Sequence, residues 1–250
     1  QYAYIVSYVG LFAPLCVMGL NNVSTKYFVR YPHNSHHYFL SAISIRSAGA
    51  LASIVVGGCF AYFSEQSHSF SLIIMLLMLQ SFTLFYLVEF YFLANKQVKY
   101  TQKIRLVVLL LIGFFKLAVI LNGANLTMLV VLHGMEFLGI GIGYLWLYYS
   151  QEKQKHLKKT ASLTTSLALF HKGKWLLLSG VAAVIYLKID QVMLANMVGI
   201  QEVAYYAAAV KLSEFWYVFP VLIANAYNPE LIKLKQRGNE SYNRFILRIL

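Results

Sequence analysis

The chain has 250 residues, of which 59% are hydrophobic and 12% are charged, and its mean hydropathy is +0.61. Soluble globular chains carry about 25% charged residues, so this composition excludes a soluble domain. The formal net charge is +12, and the basic residues that cause it lie between apolar runs and not together on a polar face. This distribution excludes a nucleic-acid-binding domain. We therefore expect an all-α, polytopic membrane protein.

Seven apolar runs follow one another, and each is long enough to cross a hydrocarbon core of about 30 Å as a helix. Pro14 and Pro220 lie inside the first and last runs and predict kinks there. Gly139 and Gly143, four residues apart, predict close helix packing. Because no basic region precedes the first run, we expect an internal fragment and not a signal peptide. The runs cover residues 2–20, 41–63, 71–94, 104–121, 126–149, 175–198 and 203–227.

The connections between these runs alternate in charge. The short connections at 64–70, 122–125 and 199–202 contain no Lys or Arg. Basic loops stay in the cytoplasm under the positive-inside rule, so the alternation predicts which segments lie inside and places Gln1 at the outer face. The other four segments hold 17 of the 21 basic residues, at 21–40, 95–105, 150–174 and 228–250.

The longest basic segment, residues 150–174, is interpreted as a cytoplasmic linker between two helical lobes. Residues 1–149 would then form most of the first lobe, and residues 175–250 would begin the second. The second half of the linker, TASLTTSLALF, is apolar enough to lie on the membrane surface. An ordinary cytoplasmic loop is the alternative interpretation.

Several ionisable residues lie within the predicted spans, where a central charge costs at least about 2.5–3.5 kcal/mol. Such residues usually face a bundle interior or a wet cavity. Arg46 and Lys116 lie near span ends, where snorkelling to the headgroups is an equally good explanation. Glu136, Lys188 and Asp190 lie near mid-depth. The full set is Arg46, Lys116, Lys188, Lys211, Glu89, Glu136, Asp190 and Glu214.

Helical geometry relates some of these charges. Lys188 and Asp190 are two residues apart, so they project about 200° from one another and cannot reach one ligand together. Lys211 and Glu214 are three apart and could simply pair with each other.

Histidines raise two further questions. His133 lies three residues before Glu136, which suggests a proton-sensitive pair or a hydrogen-bonded core histidine. His33, His36 and His37 lack a nearby Cys or carboxylate, so we expect no metal site. The sequence has no Walker lysine motif, nucleophile elbow or dinucleotide fingerprint, and we expect no cofactor.

Three stretches resemble a known family. Residues 186–199, YLKIDQVMLANMVG, and 202–220, EVAYYAAAVKLSEFWYVFP, resemble the start of the second lobe in Wzx-type polysaccharide flippases. These belong to the multidrug/oligosaccharidyl-lipid/polysaccharide exporter superfamily. GLNNVSTKYFVR at 19–30, followed by a helix with Arg46, is similar to the family's second and third helices. Ala204 departs from the Gly expected before the Tyr-rich turn.

The resemblance implies a twelve-helix, two-lobe transporter that works by alternating access, and this chain would span its second to eighth helices. The family's Lys-x-Asp-Gln motif corresponds to Lys188, Asp190 and Gln191. The implied activity is flipping of polyprenyl-pyrophosphate-linked oligosaccharides across the bacterial inner membrane, for surface polysaccharides such as O-antigen or capsule. It is not an enzymatic activity.

The resemblance also suggests roles for the charges within the spans. As partners of the protein we expect membrane lipids and the polysaccharide polymerase machinery, and we expect no nucleic acid. A negative interior would favour outward movement of about two negative charges by about 5 kcal/mol at 100 mV. The available cations for the phosphates are Lys188, Lys211, Lys116 and Arg46, and the candidate carboxylates for coupling to H⁺ or Na⁺ are Asp190, Glu136 and Glu214.

Two other functions remain open. A multidrug antiporter of the same superfamily would need acidic cavity residues for cationic drugs, and this chain supplies both signs. A membrane-embedded glycosyltransferase or polysaccharide ligase would need a sizeable catalytic loop, and the predicted outer connections are too short to hold one.

Overall fold

The computed structural model describes residues 1–63, 70–123, 125–152 and 161–237, and every regular element in them is helical. Three short 3-10 turns, Pro32–Asn34, Ser81–Tyr86 and Phe215–Tyr217, connect or interrupt the α-helices. The α-helices are α1 (Tyr2–Leu11), α2 (Ala13–Val17), α3 (Leu20–Arg30), α4 (Ser35–Phe63), α5 (Phe70–Gln80), α6 (Leu87–Ala94), α7 (Val98–Leu121), α8 (Leu126–Glu152), α9 (Leu163–Met197), α10 (Ile200–Glu214) and α11 (Val218–Arg237).

Six helical stretches are long and apolar enough to cross a membrane, and one bent pair makes a seventh. The bent pair is Tyr2–Leu11 with Ala13–Arg30. Six of the seven predicted spans and the all-helical membrane fold are therefore confirmed, and the first span is confirmed if the bent pair counts as one span. The six stretches are Pro32–Phe63, Phe70–Ala94, Val98–Leu121, Leu126–Gln151, Leu163–Ala195 and Gln201–Ala224.

Both prolines that were predicted to kink a span lie next to a break. The first span bends by 43° between α1 and α2, and Pro14 occupies the first turn of α2. Met18 and Gly19 then take left-handed conformations, with φ of 53° and 64°, before α3 begins. In the last span, the turn Phe215–Tyr217 ends just before Pro220. Proline removes a backbone donor, which explains the break before α2. The stretch Gln201–Ala224 counts as a single helix, so the kink at Pro220 stays a prediction.

Buried side chains form two hydrophobic clusters, one toward each end of the helices. The first cluster includes Phe28 of α3, Phe39 of α4 and Tyr148 of α8, which lie where basic segments join the helices. We call this the basic end. The second cluster includes Ile5 of α1 and Leu76 of α5 and lies at the opposite end. Consecutive spans contribute to both clusters, as expected when short turns join antiparallel neighbours.

Helices α7 and α8 pack closely through glycine. A Cβ atom at Gly143 would lie 2.6 Å from Cγ2 of Ile104, and one at Gly139 would lie 3.2 Å from Cγ1 of Val108. A larger residue at Gly143 would therefore force the Ile104 side chain or the helix that carries it to shift. The small-residue packing surface predicted from the sequence is thus confirmed.

Helix α9 is longer than the predicted span, because it begins at Leu163 and runs without a break to Met197. Its first turns contact the first helices: Leu169 is buried in the basic-end cluster, and Ser166 donates to the carbonyl of Ser41 at 3.0 Å. Leu163 and Leu167 of the same segment are 81% and 67% exposed, so its position on the membrane surface stays a prediction.

Parts of the predicted linker and C-terminal region lie outside the described residues. These are residues 153–160, with four of the linker's lysines, and residues 238–250, with Arg244 and Arg248. The division of the chain into two lobes stays a prediction.

Candidate functional site

The four cations expected to share a substrate cavity lie in different surroundings. Arg46 is completely buried in α4, with 0% of its surface exposed. Its guanidinium donates to the side-chain oxygen of Asn21 and to the carbonyl of Leu84 at 3.3 Å. Its Nε has no hydrogen-bond partner within the described chain. Arg46 ties α4 to α3 and to the turn before α6, and it reaches no open cavity in this conformation.

The surroundings of Arg46 do not fit the snorkelling interpretation. Its side chain is enclosed by protein, with none of its surface exposed, and its guanidinium is held by Asn21 and Leu84.

Lys116 belongs to a polar triad between α7 and α8. Its Nζ lies 2.9 Å from Oε2 of Glu136 and 3.3 Å from Nδ1 of His133. The same carboxylate oxygen lies 3.7 Å from the His133 ring nitrogen, so the expected contact between these two residues is present. The ring of Tyr2 meets His133 edge-on at 6.0 Å. Lys116 and Glu136 neutralise each other, which lowers the cost of keeping both charges in the span.

Lys188 lines a groove of about 950 Å³ between α7, α9 and α11, and Glu214 and Arg105 line the same groove. Within the part of the chain that the structure describes, Lys211 and Glu214 form no ion pair. The alternative in which these two residues simply pair is therefore not seen in the described conformation. Glu214 faces the groove, while Lys211 is exposed on α10.

Asp190 and Gln191, which belong to the Lys-x-Asp-Gln stretch, meet different neighbours from Lys188. Asp190 accepts hydrogen bonds from the hydroxyl of Tyr206 and from the backbone N–H of Gln191, the latter at 2.7 Å. Gln191 is 3% exposed, and its side-chain oxygen accepts a hydrogen bond from the hydroxyl of Ser7. The predicted divergence of Lys188 and Asp190 is confirmed, and Gln191 joins α9 to α1.

The described structure has a cationic cavity that the sequence did not reveal, at the basic end between α3 and α9. Its volume is about 660 Å³. Four cations and three aromatic residues line it, and the described lining contains no carboxylate. We call it the basic cavity. Its charged and aromatic residues are Lys26, Arg30, His171, Lys172, Lys174, Tyr27, Tyr31 and Trp175.

A backbone contact between two glycines positions this cavity. A Cβ atom at Gly19 would lie 2.5 Å from the carbonyl oxygen of Gly173, so α3 and α9 approach closely there. Lys26 and Arg30 follow on α3, four residues apart and therefore on one face of the helix. Lys172, next to Gly173, lines the facing wall. The close approach thus brings cations from distant parts of the chain together.

Aromatic rings hold the cavity's long side chains. Lys172 donates a hydrogen bond to the hydroxyl of Tyr27, and its ammonium lies 5.0 Å from that ring's centroid. The Arg30 guanidinium lies 5.5 Å from the centroid of Tyr31. Contacts within about 6 Å of a ring hold a cationic side chain in one orientation. The side chain then loses less conformational entropy when a ligand binds. The arrangement can bind phosphate oxygens, through the Arg30 fork and the point charges of the lysines.

The fold defines a multi-pass α-helical membrane protein, and comparison with known families gives the finer class. The chain belongs to the polysaccharide biosynthesis protein family, whose model matches residues 1–234. This family includes Wzx-type flippases, and its members are mainly membrane transporters for polysaccharide export. Neither the curated proteins nor the solved structures that were compared give a match. The family confirms the polysaccharide-related membrane role that the resemblance implied.

Proposed function

We propose that this chain is part of a Wzx-type flippase, which moves polyprenyl-pyrophosphate-linked oligosaccharides across the bacterial inner membrane by alternating access. The observation that carries the proposal is the basic cavity, where four cations face one space and the described lining holds no carboxylate. A pyrophosphate is the part of such a lipid that needs concentrated positive charge. The protein acts as a transporter and not as an enzyme.

The location of the basic cavity supports loading from the inner leaflet. The positive-inside rule places the basic segments, and with them this cavity, at the cytoplasmic side. Trp175 and Tyr31 line the cavity and are exposed, as suits aromatic residues at the level of the headgroups. A lipid-linked phosphate could therefore approach with its polyprenyl chain still in the bilayer.

The opposite end of the helices supports alternating access. There Gln191 bonds to Ser7, and Ala195 of α9 and Val203 of α10 pack in the same cluster as Tyr4 and Ile5 of α1. Helix α1 thus contacts α9 and α10 at the end opposite the basic cavity. This combination fits the inward-facing state of a transport cycle.

Three carboxylates are candidates for coupling transport to an ion. Asp190 is the best-placed carboxylate, because it lies next to Gln191 and accepts a hydrogen bond from the Tyr206 hydroxyl. Glu136 already neutralises Lys116, and Glu214 lines the groove of Lys188. H⁺ or Na⁺ as coupling ion and contact with polysaccharide polymerases remain proposals.

A multidrug antiporter is the second candidate, and the basic cavity disfavours it. A cationic drug needs carboxylates where this cavity presents Lys26, Arg30, Lys172 and Lys174. The family match to polysaccharide biosynthesis points the same way.

The test is reconstituted flipping by the full-length protein, with a labelled lipid-linked oligosaccharide in proteoliposomes. We expect Arg30→Ala combined with Lys172→Ala to lower the flipping rate at least tenfold. Lys99→Ala is the matched control, because Lys99 is an exposed cation on α7 that also lies over an aromatic ring, at 5.0 Å, but does not line the cavity. Equal rates for the double variant and the control would overturn the proposal.

A further inference from the structure

A second, smaller cavity lies beside the basic cavity. Its volume is about 260 Å³, and it is an open recess lined by α3, the start of α4 and the start of α9. Tyr27 lines both cavities, so its ring forms part of the wall between them. We call the second space the aromatic cavity. Its described lining consists of Tyr27, Tyr38, Thr164, Thr165, Ala168 and Leu169.

Tyrosine rings give the aromatic cavity a fixed wall. The centroids of Tyr27 and Tyr38 are 4.8 Å apart, and Tyr31 lies 5.7 Å from Tyr38 and 6.0 Å from Tyr27. These spacings are within the range of favourable aromatic pairs, so the three rings support one another. A tyrosine wall offers an apolar face together with hydroxyl groups at its edge.

Two threonine hydroxyls lie on the opposite wall, in the first turn of α9. Thr165 Oγ1 lies 3.1 Å from Nε2 of His37, and Thr164 Oγ1 lies 2.7 Å from Oγ of Ser162. A hydroxyl has one donor and two acceptor positions, so each retains capacity for a ligand. These contacts fix where the hydroxyls lie.

The chemistry of this lining differs from that of the basic cavity. No charged residue appears in it, so a phosphate gains little there. A neutral ring with C–H groups on its faces and hydroxyls at its edge would satisfy both the tyrosine wall and the threonines. The volume lies just below the roughly 300–1,000 Å³ of pockets for drug-sized ligands, which suits a single ring.

We propose that the aromatic cavity is a carbohydrate subsite, which holds the sugar ring bonded to the pyrophosphate in the basic cavity. The inference rests on the proposed function, because a phosphate in the basic cavity places its attached sugar at the wall of Tyr27. Lys172 lines the basic cavity and donates to the hydroxyl of Tyr27, the residue that lines both spaces. The two cavities together match a sugar phosphate, with charge on one side and a neutral ring on the other.

The test compares two probes on the purified full-length protein. One probe is bare polyprenyl pyrophosphate, and the other is the lipid-linked oligosaccharide extracted from the source cells. We expect Tyr38→Leu and Thr165→Val to weaken binding of the glycan-bearing lipid about tenfold and to leave the Kd of the bare lipid unchanged. Tyr38→Phe keeps the ring and should bind both lipids like the wild type.

The controls separate failure of the subsite from failure of the proposed function. Arg30→Ala should weaken binding of both probes, and Tyr100→Ala, a change at an exposed tyrosine outside both cavities, should weaken neither. If Tyr38→Leu and Thr165→Val affect both probes equally, or affect neither, the subsite is overturned while the basic cavity stands. If neither probe binds the wild type, the proposed function is overturned, and the subsite with it.

Discussion

Gly19 and Gly173 meet backbone to backbone, because a Cβ atom at Gly19 would lie 2.5 Å from the carbonyl oxygen of Gly173. Gly19 also has a φ of +64°, which residues with a Cβ rarely adopt. A Cβ at Gly173 would lie 3.1 Å from Cδ2 of Leu20. The distance between α3 and α9, and with it the width of the basic cavity, depends on two residues without side chains.

Gly19→Ala is therefore expected to lower both stability and transport. Overpacking of this kind costs about 1–3 kcal/mol, and the helices must separate at the cavity. Thermal unfolding in detergent and the flipping assay would measure the two effects. Gly113→Ala is the matched control, because a Cβ at Gly113 meets nothing within 4 Å. That control should leave transport unchanged, and a similar loss in both variants would contradict the packing argument.

Arg46→Ala is expected to destabilise the protein by about 2–5 kcal/mol, because it opens a cavity and removes the partner of the Asn21 side chain. Unfolding of the purified variant would show this as a lower Tm. Lys26→Ala should leave Tm nearly unchanged, since Lys26 is exposed. A stable Arg46→Ala variant that has lost substrate binding would instead restore the ligand role suggested by the sequence.

The pair of Lys116 and Glu136 allows a double-mutant cycle. Lys116→Met leaves an uncompensated carboxylate in the span, and Glu136→Gln leaves an uncompensated ammonium, so each single change should destabilise the protein. The double variant should recover part of that loss, with a coupling energy of about 1–3 kcal/mol in unfolding measurements. Additive losses would mean that the 2.9 Å contact contributes no stability.

Cross-linking tests whether the outer contact opens during transport. Ser7→Cys with Gln191→Cys, in a background where the exposed Cys59 is replaced by Ser, should form a disulfide on oxidation. Flipping should stop on oxidation and return with a reductant, because the α1–α9 contact must separate for release on that side. Each single cysteine variant should keep its rate under oxidation. A cross-linked protein that still flips at the wild-type rate would contradict alternating access at this contact.

Local patterns in the sequence were sufficient to predict the membrane spans and the break in the first one. Seven apolar runs, Pro14 and the Gly139–Gly143 pair each describe neighbouring residues, and the structure agrees with each of them, whereas the kink at Pro220 stays a prediction. Hydropathy marked the apolar part of each helix but not its ends. Helix α4 continues through the polar residues before the apolar run, and Arg46 is enclosed through contacts with Asn21 and Leu84 that no local pattern indicates.

The basic cavity could not be predicted because it joins residues far apart in the chain. Lys172 and Tyr27 are separated by 145 positions, and no local pattern relates them. The lysines and arginines that line the cavity also belong to the basic segments that predict membrane orientation. The positive-inside rule was therefore enough to explain why they are there, without a ligand site. The i,i+4 spacing of Lys26 and Arg30 was the available local hint of a shared face.

Helix α9 is one uninterrupted helix from Leu163 to Met197, so its two ends move together. It has 35 residues and is about 52 Å long, with Lys172 near one end and Gln191 near the other. A tilt that changes the distance between Lys172 and α3 must also move Gln191 relative to Ser7, because no break in the helix separates them. Events at the ligand cavity and at the far contact are therefore linked by the stiffness of one backbone, with no relay of side chains between them.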